Sequence, residues 1–346
     1  NKVQLRSIFI LATLLVVSLT SRAQSDKALA STAYTYLGVT SSAHIYGLGG
    51  HNITTVDDDI QLIEQNPALL GPEMDKQIGL NYMRYMGSMN FMGARYGMKI
   101  RDHNAWAAGI QYFGYGKMTA TDIDGTIIGT FSASDIAFTG TYSHDINSHF
   151  RGGITVKVLS SQYESYSALA LGVDLGLSYY DDNTDFAFGV VLKNLGGQVK
   201  RFYQTYEPLP WDVQLGLTKG LGSTPIRLSI TFTDLTKWNL PYYTYDSGSD
   251  SKTLVEKNTF FTNLLRHITF GAEWSPNGRL FVALGYNHRT RTDMSTYNRN
   301  FLSGFSLGAG LKVRGFGFSV AIAQPHNAAT TFMLNLNTNL AELLNR

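Results

Sequence analysis

The sequence predicts an all-β fold, a transmembrane antiparallel β-barrel of about 14 strands preceded by an N-terminal plug segment. Three observations predict it. Residues 166–180 alternate between apolar and small or polar side chains for longer than an ordinary globular strand. Charged residues make up only 16% of the chain, whereas glycine (34 residues), phenylalanine (19) and tyrosine (20) are frequent. No apolar run reaches the length of a membrane-spanning helix.

The first predicted element is a signal peptide over residues 1–23. Lys2 and Arg6 precede an apolar run over residues 8–19, and small residues lead up to Ala23, as at a signal-peptidase site. This run has 12 residues, whereas a spanning helix needs about 20. We therefore expect cleavage after Ala23 rather than a transmembrane anchor, and residence of the exported chain in a Gram-negative outer membrane as a closed barrel.

The second predicted element is a plug segment over residues 24–76, which lacks the alternation of a strand. Its glycines permit tight turns and close backbone packing, and its central proline disfavours a helical conformation at the residue before it. The candidate functional residues of this segment are Gly47, Gly49, Gly50, Asp57, Asp58, Asp59, Asn66, Pro67 and Ala68.

The three adjacent carboxylates of Asp57, Asp58 and Asp59 repel one another unless cations or backbone N–H groups offset their charge. One hypothesis is a cation site, or a pin formed with lumen arginines. The arginines considered for that pin are Arg95, Arg151 and Arg227. The other is a helix N-terminus beginning at Asp58 or Asp59, where carboxylates complement the helix dipole. The sequence favours the second hypothesis.

Residues 77–340 form the predicted barrel, and residues 341–346 a C-terminal tail. Alternation over residues 166–180 places Leu, Val and Tyr on one face, and Gly172, Gly176 and other small residues on the opposite face. A soluble β-sandwich would carry more charge on that second face, so the pattern favours an apolar face toward lipid and a small face toward a lumen. Strands are expected near residues 77–87, 89–101, 104–115, 133–145, 148–162, 166–180, 184–194, 211–220, 225–235, 266–275, 278–290, 300–313, 316–324 and 329–339.

The connections between these strands alternate in length. Short turns follow the even-numbered strands, and the long connections all follow odd-numbered strands. Outer-membrane barrels place short turns at the periplasmic end and long loops at the outer end. The long connections are residues 116–132, 195–210, 236–265 and 291–299.

Two of the long connections are rich in tyrosine, tryptophan and arginine, the side chains that dominate binding hot spots. We therefore expect them to form a partner-binding surface. The candidate residues are Arg201, Phe202, Tyr203, Tyr206, Trp238, Tyr242, Tyr243 and Tyr245.

Motifs of enzymes and cofactor sites occur only as accidents of composition. Residues 304–308 match a nucleophile elbow, but Ser306 lies inside a regular strand alternation, without the strand-to-helix turn that the elbow needs. The chain has no cysteine, and no histidine or carboxylate spacing matches a metal motif. The net charge of +2 gives no basic surface for nucleic acid. We expect no catalytic residue, no cofactor, no metal and no nucleic-acid partner.

The N-terminal segment and the strand pattern together resemble the long-chain fatty-acid transporter (FadL) superfamily of outer-membrane barrels. Within it, the chain is most similar to the PorQ and PorV branch of the type IX secretion system, and to PorQ in particular. The resemblance covers nearly the whole mature chain. The segments that carry it are residues 34–37, 49–53, 57–59, 66–70 and 79–82. The chain departs from many outer-membrane barrels at its C-terminus, which does not end on an aromatic residue.

This resemblance implies a barrel whose lumen is plugged by the N-terminal segment and which anchors a PorZ-like surface protein. PorU and PorV-like members of the same complex would then help to process secreted cargo and attach it to lipopolysaccharide. The alternative from the same superfamily is passive transport of hydrophobic compounds through the barrel. An outer-membrane hydrolase or acyltransferase ranks last, because no catalytic triad is present.

Overall fold

The computed structural model describes residues 32–85, 87–203, 206–245, 254–294, 301–326 and 329–344. The predicted signal peptide, residues 1–23, and the start of the predicted plug, residues 24–31, lie outside this part of the chain. The described end of the predicted plug, residues 32–76, is called the lumen segment below.

Fourteen strands form one closed antiparallel barrel, so the predicted fold class is confirmed. Each strand pairs with the next one in the barrel, and the last pairs with the first. The strands are β1 (Gln77–Arg84), β2 (Asn90–Arg101), β3 (Asn104–Thr121), β4 (Ile127–Asp145), β5 (Phe150–Tyr163), β6 (Tyr166–Asp181), β7 (Phe186–Lys200), β8 (Asp212–Gly220), β9 (Ile226–Phe232), β12 (Ile268–Trp274), β13 (Leu280–Asn287), β14 (Phe305–Val313), β15 (Phe316–His326) and β16 (Ala329–Asn339). A separate hairpin, β10 (Tyr242–Tyr245) and β11 (Leu254–Lys257), lies between β9 and β12.

The helices are short. The α-helices of the described chain are Ala43–Gly47, Phe260–Arg266, His288–Asp293 and Leu340–Leu344. The 3-10 helices, all in the lumen segment, are Thr35–Gly38, Ile60–Glu64, Pro67–Leu69 and Pro72–Met74. Within the described ranges, none of the helices is long and apolar enough to cross a membrane.

Strand β6 has the two faces that its sequence predicts. Leu171 and Leu175 are 46% and 39% exposed, whereas Ala170 and Asp174 are 0% and 1% exposed. Neighbouring strands show the same division, because the large aliphatic and aromatic side chains of their outer faces are exposed. The barrel therefore has an apolar outer surface and an inner surface of small and polar residues, as in membrane barrels.

Several strand boundaries differ from the prediction; β7, for example, continues to Lys200 instead of ending at residue 194. Strand β3 continues to Thr121 and β4 begins at Ile127, so most of the connection 116–132 is itself a paired β-ribbon rather than a loop. Its threonines, isoleucines and phenylalanine favour strand, and the two arms satisfy each other's backbone groups. Strand β13 ends at Asn287, because the Asn287 side chain accepts a hydrogen bond from the Thr290 backbone N–H (3.1 Å) and caps a helix there.

One end of the barrel, here called the short-turn end, carries short turns throughout, at residues 102–103, 146–149, 182–185, 221–225, 275–279 and 314–315. The long connections lie at the other end, the long-loop end, together with the short turn 164–165 between β5 and β6. The lumen segment runs inside the barrel between these ends. Near the long-loop end, Tyr34 and Leu37 pack with Met83 and Phe113 of the wall. Near the short-turn end, the residues that pack together are Ile60, Ile63, Leu70, Met74, Ala105 and Ala107. The core of the molecule is therefore the interface between the lumen segment and the barrel wall.

Candidate functional site

The first helix of the lumen segment touches the wall through its backbone. Ser42 caps this helix by accepting a hydrogen bond from the Ile45 N–H (3.3 Å), and the helix ends at Gly47. A Cβ atom on Gly47 would lie 2.7 Å from the Cα of Gly308 in β14, and a Cβ on Gly308 would lie 2.9 Å from the Cα of Gly47. Two facing glycines therefore let helix and strand approach more closely than any side chain permits.

The turn after this helix is also fitted to the wall. Gly49 and Gly50 have φ angles of 101° and 87°, which L residues with side chains rarely adopt. A Cβ on Gly285 of β13 would lie 2.0 Å from the Gly49 nitrogen, and the Asn287 side chain donates a hydrogen bond to the Gly49 carbonyl (3.2 Å). The turn is therefore both sterically matched and hydrogen-bonded to β13.

Asn66, Pro67 and Ala68 form a second contact with the wall. Asn66 is fully buried; its Oδ1 accepts from the Ala68 N–H (2.9 Å), and its Nδ2 donates to the Ile53 carbonyl (3.0 Å). This side chain caps the 3-10 helix Pro67–Leu69 and ties together two passes of the lumen segment. The motif of Asn66, Pro67 and Ala68 therefore stabilises the fold of the lumen segment.

Glycines of β5 and β6 receive this second contact. A Cβ on Gly153 would lie 2.4 Å from the Pro67 carbonyl, and one on Gly176 would lie 2.1 Å from the Asn66 Oδ1. The other small residue expected to face the plug, Gly172, instead faces Leu209 of the β7–β8 connection, which folds back into the lumen.

The acidic run divides between two roles. Asp59 caps the 3-10 helix Ile60–Glu64 by accepting a hydrogen bond from the Gln61 N–H (2.8 Å), and it also accepts one from Asn337 of β16 (2.6 Å). The favoured hypothesis of a helix N-terminus is therefore confirmed for Asp59. Asp57 and Asp58 both form ion pairs with Lys312 of β14.

The arginines considered for a pin of the acidic run bind elsewhere, so the arginine pin, part of the less favoured hypothesis, is wrong. Arg95 donates a hydrogen bond to the Gln61 carbonyl (3.4 Å). Arg151 pairs with Glu73 of the lumen segment (2.9 Å), and Arg227 pairs with Asp185 (3.1 Å). The alternation of β14 did place Lys312 on the inward face. Which inward cation meets the acidic run depends on how deep the segment lies, which local sequence does not encode.

His44 connects the acidic run to the wall. Its Nε2 lies 2.6 Å from Glu273 of β12, its Nδ1 lies 3.8 Å from Asp57, and its ring stacks on Phe281 at 3.8 Å between centroids. Within the described residues, the acidic run is thus held by protein cations and N–H groups. No cluster of three or more histidines and carboxylates in that part of the chain could hold a metal ion.

Burial and neighbouring charges shift the pKa values of two side chains of the lumen segment, His44 and Asp57. Burial disfavours the charged form of His44, but Glu273, Asp57 and Asp59 together raise its pKa above 6.5. Burial likewise disfavours the charged form of Asp57, yet Lys312 and His44 hold the pKa of this carboxyl below its ordinary value. Both groups therefore favour the seated lumen segment while they are charged.

The predicted partner-binding residues form two ring clusters at the long-loop end. In the first, Phe202 stacks on Tyr163 at 4.9 Å, and Arg201 lies 5.5 Å above the ring of Tyr206. Tyr203 is 75% exposed and contacts Tyr166 edge to face. Several of these rings keep much of their surface open to solvent.

In the second cluster, Trp238 packs between the rings of Phe260 and His267, at 5.4 Å and 5.1 Å. Arg266 lies 5.2 Å above the ring of Tyr242, while Tyr243 and Tyr245 belong to β10. The sequence prediction missed two members of this surface, Phe260 and Phe261, which are 61% and 74% exposed. They begin the helix Phe260–Arg266, and Thr259 as its N-cap was the available sequence feature.

A cavity of about 750 Å³ opens at the short-turn end. Ala68 and Leu69 of the lumen segment contribute to its lining, together with His103 and His149 of the short turns and His144 near the end of β4. A much smaller space, about 10 Å³, lies beside Thr54 and Arg227 and has room for about one water.

No protein-family model matches the sequence, and no curated protein is detectably similar to it. Solved structures resemble the fold. A FadL homologue of Pseudomonas aeruginosa has a TM-score of 0.50 and 13% identity, over 87% of this chain and 98% of that one. The Pseudomonas putida toluene transporter TodX has a TM-score of 0.51 and 12% identity, over 86% and 96%.

A mutant of TodX, a monoaromatic hydrocarbon channel, is similar in structure with a TM-score of 0.54 and 12% identity, over 87% of this chain and 99% of that one. The fold is that of FadL-type outer-membrane barrels. At these identities the likeness concerns the fold alone.

A methyl group placed at Gly153 should loosen the lumen segment. We expect Gly153→Ala to destabilise the barrel by about 1–3 kcal/mol, because the added carbon overlaps the backbone of Pro67 and Ala68. Gly140→Ala is the matched control, since a Cβ there meets no atom within 4 Å. Thermal unfolding in detergent measures both variants. Equal melting temperatures for the two would contradict the contact.

The stability of the seated lumen segment should depend on the protonation of His44. Because the folded pKa lies above 6.5, its contribution is fully present below that pH and is lost as pH rises through the raised value. We expect the free energy of unfolding to fall over this window in the wild type and to fall less steeply in His44→Gln. His149→Gln, an exposed histidine of a short turn, is the control. Parallel pH profiles of wild type and His44→Gln would refute the role.

Proposed function

We propose that this chain is an outer-membrane barrel, exported by the signal peptide of residues 1–23, that holds a surface protein at its long-loop end. In this proposal it belongs to the attachment complex of the type IX secretion system. The observation that carries the proposal is the contrast between the filled interior of the barrel and the exposed side chains of its long connections. The lumen is occupied by a closely fitted segment, while aromatic side chains are left exposed on the long connections.

The fit of the lumen segment argues against a wide permanent pore. Backbone contacts at Gly47 and Gly153 join it to opposite parts of the wall, β14 and β5. Moving the segment would separate His44 from Glu273, both buried, and leave the Glu273 carboxylate in the wall without this partner, which is costly. A rigid, filled barrel suits a membrane anchor.

The exposed rings suit a protein partner. Trp238, Phe261 and Tyr203 are 42%, 74% and 75% exposed, and side chains of this kind carry most of the energy in protein interfaces. Ring contacts with Phe260 and Tyr166 order two of them in advance, which lowers the entropy lost on binding.

The resemblance to PorQ supplies the identity of the proposed partners. They are a PorZ-like surface protein, together with PorU and PorV-like members of the attachment complex. Outer-membrane lipid and lipopolysaccharide would surround the apolar belt and the outer rim of the barrel. In this setting secreted cargo is processed and attached at the cell surface.

A second candidate is passage of hydrophobic compounds through the barrel. It is supported by the similarity in fold to the toluene transporter TodX and by the 750 Å³ cavity at the short-turn end. For passage, the segment around Ile53 and Thr54 would have to move away from the wall, because a Cβ on Gly216 would lie only 2.6 Å from Ile53.

Quantified co-isolation from detergent extracts of the native cell tests the two candidates. We expect a surface protein to co-isolate with the tagged wild type and to be lost from the double variant Trp238→Ala, Phe261→Ala. The control is Leu302→Ala and Phe301→Ala, exposed residues of a different connection. Deletion of the gene should leave secreted cargo unattached. Normal attachment, together with loss of toluene uptake on deletion, would favour transport instead.

A further inference from the structure

The ribbon formed by the ends of β3 and β4 extends beyond the barrel. Pairing of β2 with β3 ends at Gly114, and pairing of β4 with β5 begins only at Ala133. Between these points, residues 117–121 and 127–132 pair only with each other. Residues 121–130 are all exposed. At about 3.4 Å per residue, the arm of β4 projects roughly 17 Å past the last strand that flanks it.

The direction of the free backbone groups on β4 follows from one hydrogen bond. The Ser132 carbonyl accepts from the Glu164 N–H (3.2 Å), so the backbone groups of Ser132 point away from β3. In an antiparallel ladder the N–H and C=O of a residue point the same way, and this direction alternates along the strand. Thr130 therefore also points its N–H and C=O away from β3. Among the described residues, no strand pairs with that side of residues 127–131.

The two edges of the ribbon differ in chemistry. The β3 arm carries Lys117, and a charged lysine is a usual means of discouraging strand addition at an edge. The β4 arm, residues 127–132, has the sequence Ile-Ile-Gly-Thr-Phe-Ser, with no charge and no proline. Such uncharged segments, rich in β-branched and aromatic residues, readily accept a further strand. The β4 edge is therefore the open one.

We propose that the β4 edge at residues 127–131 binds an extended, uncharged segment of the surface partner as an additional β-strand. This deepens the proposed function, on which it rests, by naming the mode of contact. The occupant is a chain in β conformation because the groups left open are main-chain N–H and C=O groups. A second copy of this chain is a poor occupant. Two copies in one membrane have the same orientation, so a two-fold axis along the membrane normal would pair their β4 edges as parallel strands, which is the less stable arrangement.

The experiment uses purified wild type in detergent and, as probe, a fluorescent peptide of alternating threonine and valine, seven residues long. We expect the peptide to bind the wild type and to bind Thr130→Pro about tenfold more weakly, because proline removes the outward N–H. The bonds within the ribbon stay intact, since that N–H does not face β3. Thr130→Val keeps the N–H and should bind normally. Thr119→Pro, opposite Thr130 on the β3 arm, should also bind normally.

Four outcomes would overturn the proposal. They are absence of peptide binding to the wild type, equal binding by Thr130→Pro, equal loss in Thr119→Pro, and a wild-type dimer that Thr130→Pro converts to a monomer. The same variants in the co-isolation experiment separate this proposal from the proposed function. A surface protein that co-isolates equally with wild type and Thr130→Pro would refute strand addition and leave the anchor intact, whereas absence of any co-isolating protein would refute the anchor itself.

Discussion

The close fit between the lumen segment and the barrel wall is the constraint on which the rest of the structure depends. Inward positions on many strands hold glycine because a side chain there would overlap the segment. The glycines that meet it are Gly79, Gly97, Gly153, Gly176, Gly189, Gly216, Gly271, Gly285 and Gly308. Such a fit excludes water, so the polar groups of the segment must find partners in the wall. The Ala43 N–H bonds to Asn335 (2.8 Å), and the Leu70 carbonyl bonds to Ser143 (2.7 Å).

The charged side chains of the barrel interior also have partners. A buried carboxylate is tolerated only when a cation or several donors offset it, and the structure provides both. Asp57 and Asp58 meet Lys312, and Glu273 meets His44. In the wall itself, Lys157 pairs with Asp174 at 2.7 Å. The inward charges are therefore paired either between the lumen segment and the wall or within the wall itself.

Much of this architecture was predictable from sequence because strand alternation is a local property. The face of β6 that carries Leu171 and the face that carries Gly176 follow from a period of two, and the number of strands follows from counting such runs. Contacts between residues far apart in the sequence could not be predicted in this way. That Lys312 rather than Arg227 meets the acidic run depends on the depth of the segment in the barrel. That residues 127–131 pair with β3 instead of forming a loop depends on a match between the two arms of one connection, which the alternation within either arm does not show.

Closure of the barrel interior by the lumen segment is tested most directly by ion conductance through the wild-type barrel. The purified protein would be inserted into planar lipid bilayers and the current recorded under an applied voltage. We predict that insertion, confirmed by recovery of the protein from the membrane, produces no steady conductance steps, because the lumen segment contacts opposite parts of the wall through Gly47 and Pro67. Stable, uniform steps of an open pore would contradict the account.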